Sequence, residues 1–197
     1  METLKFILFE VHQIQEVFQF PRYAEYNEEM ANLLLDATKQ WADKDFYPYY
    51  KEMDEKPVYF KEGKVYSHPI IKKVFKEAGN NGFLGSYFDY DDGGVQMPAS
   101  LSNANNHIIE AANNHLPGYL GLTSSAAHLI AVFGNENLKK TYIPNMLKGN
   151  WGGTMALTEP QAGSSLSDIT TRAMPQSDNT YHIQGQKIFI SGGDHQG

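Results

Sequence analysis

The residues best placed to do chemistry lie near the end of the 197-residue chain. Thr158-Glu159-Pro160-Gln161-Ala162-Gly163-Ser164-Ser165 combines hydroxyls, a stiff proline and a permissive glycine in one turn. Backbone N–H groups beside Gly163, helped by the Ser164 hydroxyl, could meet a phosphate, and Thr158 could bond a heterocycle edge. The same eight residues would also serve as a plain hairpin connection. A second group follows at Lys187 to Ser191, where strand alternation would put Phe189 and Ser191 on one face and Ile188 and Ile190 on the other. An aromatic ring and a hydroxyl delivered together suit a flat, partly polar ligand, and equally suit a strand with one core face.

Other candidate groups read as structural. His107, His115 and His128 lack the close pairing and the carboxylate of a helical metal site. Asp89, Asp91 and Asp92 lie in a glycine-containing loop without the ligand spacing of a calcium loop, so no metal is assigned. Trp41, Phe46, Tyr47, Tyr49 and Tyr50 read as packing residues rather than a platform for bases. With no Cys, disulfides, zinc ribbons and thiolate chemistry are excluded.

The elements that must position these residues fall into two sets. Asn27 caps a helix whose stripe is Met30, Leu33, Leu34, Ala37 and Trp41. Asp54 to Tyr66 reads as an exposed connection. Ser67 and Pro69 open a second helix with Ile71, Val74, Phe75 and Ala78, stopped by Gly79. A third helix follows Pro98, with Leu101, Ala104, Ile108 and Ala112. A fourth runs from Pro117 to Phe133, and its small residues, among them Gly118 and Gly121, place it inside the bundle. Asn135 caps a fifth, which Pro144 should break or kink. Past Asn150 the period becomes that of strands, over Trp151–Leu157, Ile169–Met174, Thr180–Gln184 and Lys187–Ser191. The expected fold is mainly α, with a helical domain over 1–150 followed by the first strands of a β-domain over 151–197.

Composition bounds the rest. A hydrophobic fraction of 41% with 13% aromatic residues supplies a core. The 23 acidic residues exceed the 16 Lys and Arg, giving a net charge of −7 with no basic patch, so no nucleic-acid partner is expected. The apolar run Phe6–Phe9 ends at Glu10 and does not read as a signal peptide. No stretch is long enough for a membrane helix, and the mean hydropathy is −0.47; a cytoplasmic protein is expected.

The ordered set Met155-Ala156-Leu157-Thr158-Glu159-Pro160, Ala162-Gly163-Ser164 and Gly185-Gln186-Lys187-Ile188-Phe189-Ile190-Ser191 resembles the acyl-CoA dehydrogenase family. Gly134-Asn135-Glu136, Lys139, Tyr142-Ile143-Pro144 and Gly149 are similar to the helix preceding the family's central β-domain. The long N-terminal lead and Ser191-Gly192-Gly193-Asp194-His195 look most like the larger bacterial members. The resemblance implies FAD as cofactor, with Thr158 at the flavin ring edge, Ser164 by the pyrophosphate or the substrate, Phe189 over the ring face, Ser191 near flavin N5, and Met155 lining the flavin or acyl site. Ser165 departs from a commoner Asp, and Phe189 from a commoner Trp. The implied reaction oxidises an acyl-CoA to the 2-enoyl-CoA, with electron-transfer flavoprotein as acceptor and a homo-oligomer when full length. An acyl-CoA oxidase or a catalytically silent flavin-binding relative carries the same motifs. No base is nominated from Glu110, Glu136 or Glu159. The resemblance implies one beyond Gly197, so the 197 residues alone are expected to be inactive and poor at retaining FAD.

Overall fold

The computed structural model describes residues 1–195. Its elements run in the order α1 Glu2–Phe6, α2 Glu28–Asp45, α3 Tyr50–Glu55, β1 Tyr59–Lys61, β2 Lys64–Tyr66, α4 Ile70–Asn80, α5 Ala99–Ala112, α6 Pro117–Phe133, α7 Glu136–Leu147, β3 Arg172–Pro175 and β4 Tyr181–Gln184. The architecture is mainly α, a helical bundle followed by a strand-bearing segment, as the patterning predicts.

Local chemistry sets the helix ends. The Asn27 side chain accepts from the Met30 N–H at 2.8 Å, and Glu28 and Glu29 sit at the positive end of the α2 dipole. Asn135 does the same for α7 through the Leu138 N–H at 3.0 Å. At α4 the expected Ser67 cap does not form: Pro69 is the N-cap, and the Ile70 N–H instead donates to His68 Nδ1 at 3.2 Å. Nor does Gly79 stop α4, which runs on to Asn80. A Cβ there would lie 2.3 Å from the Lys148 carbonyl carbon, so Gly79 is the point where the end of α7 crosses α4. Pro144 sits inside α7, which continues to Leu147 because Ile143, Met146 and Leu147 are buried and hold the last turn.

The main core joins α2, α4, α5 and the start of α6 around Leu35, Phe46, Ile71, Val74, Phe75, Leu101, Ile109 and Leu116. A smaller cluster of Phe88, Ala127, Ile143, Met146 and Leu147 joins α6 to α7. Two buried polar groups tie helices to neighbouring backbone: Asn113 Nδ2 donates to the Phe46 carbonyl at 3.1 Å, and Ser124 Oγ donates to the Leu84 carbonyl at 2.8 Å. Asp45, almost fully buried, pairs with Lys73.

Several expectations are corrected. The connection before α4 is exposed but regular: β1 and β2 pair antiparallel about Glu62 and Gly63, both at positive φ, and Tyr59 stacks on Tyr66 at 5.0 Å. Helix α6 lies at the edge of the bundle, since a Cβ at Gly118 or Gly121 would meet nothing, and Leu129, Val132 and Phe133 are exposed. Tyr47 and Tyr50 are exposed, whereas Trp41 and Phe46 pack edge to face at 4.8 Å. Trp151–Leu157 and Lys187–Ser191 are not strands, and the second candidate, expected from Ile169, begins only at Arg172. The β3–β4 hairpin pairs Arg172 with Gln184 and Pro175 with Tyr181.

Candidate functional site

Glu159 organises the motif turn. Its N–H donates to the Ala162 carbonyl at 2.9 Å and its carbonyl accepts from the Ala162 N–H at 3.0 Å, closing Glu159–Ala162 into a tight loop. The side chain, 1% exposed, accepts from the Thr170 N–H at 2.8 Å, the Thr170 hydroxyl at 2.9 Å, the Thr171 N–H at 3.0 Å and Gln161 Nε2 at 2.7 Å. Lys187 Nζ completes the set at 2.9 Å and also donates to the Leu157 carbonyl at 2.9 Å. The adjacent Thr171 hydroxyl and the hydrogen bonds from Lys187 and the Thr170 N–H hold the Glu159 carboxyl far below the usual carboxylate range. A carboxylate so committed is a structural anion, not a proton acceptor.

These bonds bring the two motif segments side by side. The Ile188 N–H donates to the Thr158 carbonyl at 3.0 Å, and the Thr154 hydroxyl donates to the Ser191 carbonyl. The chain numbers run in opposite directions across these contacts, so 154–159 and 187–191 lie antiparallel without forming a ladder. Thr158 is half-buried, while Met155, Ser164 and Ser191 are exposed and Phe189 is 87% exposed. Phe189 has φ +55°, a left-handed backbone that bulky residues rarely adopt. Strict alternation therefore fails at Phe189, and the shared face of Phe189 and Ser191 does not follow from strand geometry. No described residue bonds the side-chain hydroxyls of Thr158, Ser164 or Ser191.

The helical body anchors this segment at both ends. The Gly153 N–H donates to Thr123 Oγ1 at 3.0 Å, and that fully buried hydroxyl donates to the Tyr119 carbonyl at 2.9 Å. A Cβ on Gly153 would stand 2.8 Å from the Ala126 and Met146 side chains, so only glycine allows the chain to leave α7 this close to α6. At the other end, the His195 ring sits 5.5 Å from Phe75 and 5.1 Å from Tyr119, and this burial pushes its pKa down. A Cβ at position 152 would fall 2.6 Å from His195 Nε2, so a larger residue there would push this ring from its place.

The histidines weighed as ligands lie apart. His115 faces Tyr50, His128 lies edge-on to Tyr87 and Phe88, and among the described residues no group of His, Asp and Glu is gathered to hold a metal. The residues that sequence reading missed are Glu159, set aside as a base with no other role given, and its partners Lys187, Thr170 and Thr171. No local signal links them, because the carboxylate and the ammonium are 28 residues apart.

A helical bundle that hands the chain through a glycine to a hydroxyl-bearing turn defines the class of fold, and the comparisons narrow it. The profile "Acyl-CoA dehydrogenase, N-terminal domain" matches residues 28–150. The 3-methylmercaptopropionyl-CoA dehydrogenase of Ruegeria pomeroyi is 28% identical over 99% of this chain and 33% of its own length. A butyryl-CoA dehydrogenase of Syntrophomonas wolfei is 30% identical over 99% of this chain and 33% of its own. The structure of butyryl-CoA dehydrogenase from Megasphaera elsdenii superposes with a TM-score of 0.70 at 26% identity, covering 85% of this chain and 42% of that one. The chain belongs to the acyl-CoA dehydrogenase family. It spans about a third of the length of the curated relatives it matches.

Proposed function

We propose that this chain supplies the N-terminal helical domain, residues 1–150, and the first flavin-contacting part of the β-domain, from residue 151, of an FAD-dependent acyl-CoA dehydrogenase. The observation that carries the reading is the antiparallel apposition of 154–159 and 187–191, held by the Ile188 N–H to Thr158 carbonyl bond. It brings Met155 and Thr158 alongside Phe189 and Ser191, four of the five residues that the family resemblance assigns to the flavin, with Ser164 in the turn that follows.

The donor set fits such a ligand. Thr158, Ser164 and Ser191 have uncommitted hydroxyls, and Met155, Leu157 and Phe189 leave apolar surface uncovered beside them. Uncharged donors next to an apolar wall suit a planar heterocycle with polar edges. Around Gly163, where a Cβ would meet nothing, the backbone is open for a phosphate.

When bound, FAD would take up the hydride that leaves the β-carbon of the acyl thioester. This chain's residues bind and orient: Thr158 holds the ring edge, Phe189 and Met155 exclude water from its face, Ser191 places a hydroxyl near the reacting edge, and Ser164 meets the pyrophosphate or the substrate. Glu159 moves no proton. The α-proton of the acyl-CoA goes to a base outside these residues, and electron-transfer flavoprotein takes the electrons. The test is anaerobic titration of the FAD-loaded full-length protein with a series of acyl-CoAs. Flavin bleaching with enoyl-CoA formation supports the reading; peroxide formation in air would make it an oxidase, and tight FAD with no bleaching a silent binder.

A further inference from the structure

We propose that Glu159 and Lys187 form an ionic latch that fixes the two motif segments in one orientation and thereby sets the affinity of the site for FAD. The inference rests on the flavin reading above and assigns positioning roles to residues that contact no ligand in it.

Neither motif segment is held by a β-ladder. Among the described residues, three polar links join them: the Ile188 N–H to the Thr158 carbonyl, the Thr154 hydroxyl to the Ser191 carbonyl, and the Lys187 side chain to Glu159 and to the Leu157 carbonyl. Only the last engages both the backbone and a side chain of the opposite segment. Glu159 extends the same link to a third stretch, because its carboxylate collects the Thr170 and Thr171 N–H groups just before β3. One carboxylate therefore ties together the turn after Thr158, the entry to β3 and the segment carrying Phe189 and Ser191.

The geometry also explains the choice of groups. A 1% exposed carboxylate requires several donors and one cation to offset its lost hydration, and it has them. Lys187, 22% exposed, is the one cation among its bonded partners. The close packing of Gly185 against Thr171, where a Cβ would fall 2.0 Å from the Thr171 hydroxyl, brings the chain back toward this carboxylate two residues before Lys187. Without the latch, Thr158 and Phe189 sit on segments that no longer share a fixed distance, and a ligand contacting both must order them on binding.

The test compares Lys187→Met, Lys187→Arg and Glu159→Gln in the full chain. Hydrogen exchange is followed at the Ile188 N–H, which touches neither side chain of the latch, and FAD affinity is measured by quenching of flavin fluorescence. Lys187→Met and Glu159→Gln should each speed Ile188 exchange and weaken FAD binding by about tenfold, and Lys187→Arg should restore both, as coupled neighbours require. Unchanged exchange at Ile188 in Lys187→Met would overturn the latch. Faster exchange with unaltered FAD affinity would overturn its control of the site. Failure of the wild-type protein to bind FAD would overturn the flavin reading and the affinity claim with it, while the exchange data still judged the latch itself.

Discussion

At residue scale, Phe189 and Glu159 are opposite cases of a side chain in an unfavourable setting. Phe189 combines 87% exposure with a left-handed backbone, so the folded chain gains little packing from it and bears a conformational cost of about 1–3 kcal/mol. Such strain is retained where the position serves a ligand. Phe189→Gly should therefore leave the melting temperature unchanged or raised, read by calorimetry, while weakening FAD binding; a clear drop in melting temperature would show that the ring packs. Glu159 is buried but fully bonded, and its pH dependence has a definite sign. Its folded pKa lies below the ordinary 4.5, so its contribution is complete above that value and is lost as pH falls through the folded value. Denaturant unfolding across the acid range should show wild type and Glu159→Gln far apart near neutrality and converging below about pH 4.5. A constant gap would remove the carboxylate as its source.

At the scale of elements, the junction between α6 and the segment after α7 depends on one hydroxyl. Thr123 is fully buried and receives the Gly153 N–H. Thr123→Val keeps the shape and orphans that N–H, which should cost about 1–3 kcal/mol in chemical denaturation. Thr123→Ser, which keeps the hydroxyl, should cost less. The long helices were legible in the sequence for an equally local reason: Asn27 and Asn135 make their cap bonds, and the stripe from Ile71 to Ala78 is the buried face of α4. What was not legible depends on contacts distant along the chain. Gly79 reads as a stop and is instead a crossing point with Lys148. Lys187–Ser191 reads as a strand, but a strand needs a partner along its length, and among the described residues this stretch finds one backbone bond, from Ile188. In the site, the residues that meet the proposed ligand were marked by motif, and the Glu159 network that positions them was not.

At the scale of the whole molecule, the segment before α2 is the largest departure from what periodicity could show. Residues 1–26 precede the span matched to the family profile, and their helical path is interrupted at Gln13, with φ +49°, so no single stripe betrays them. Yet Leu8, Phe9, Ile14, Phe18 and Tyr26 all join the main core. Tyr26 donates its hydroxyl to the Val95 carbonyl at 2.6 Å, and burial pushes its pKa up to about 12. Arg22 pairs with Asp89, and Lys5 reaches Asp36 at 2.8 Å, so the segment is tied to the loop before α5 as well as to α2. Its apolar contacts outweigh these exposed ion pairs, each worth only about 0–1 kcal/mol. Phe18→Ala should thus cost about 3–5 kcal/mol, as for other buried aromatics, whereas Phe20→Ala, at a side chain 61% exposed, should change stability by less than about 0.5 kcal/mol. Deleting residues 1–26 removes all five core side chains at once, a loss comparable to the total stability of an ordinary domain. The expected outcome is a chain without a cooperative melting transition by circular dichroism. A deletion variant that melts sharply near the wild-type temperature would reduce the segment to an appendage laid over a core complete without it.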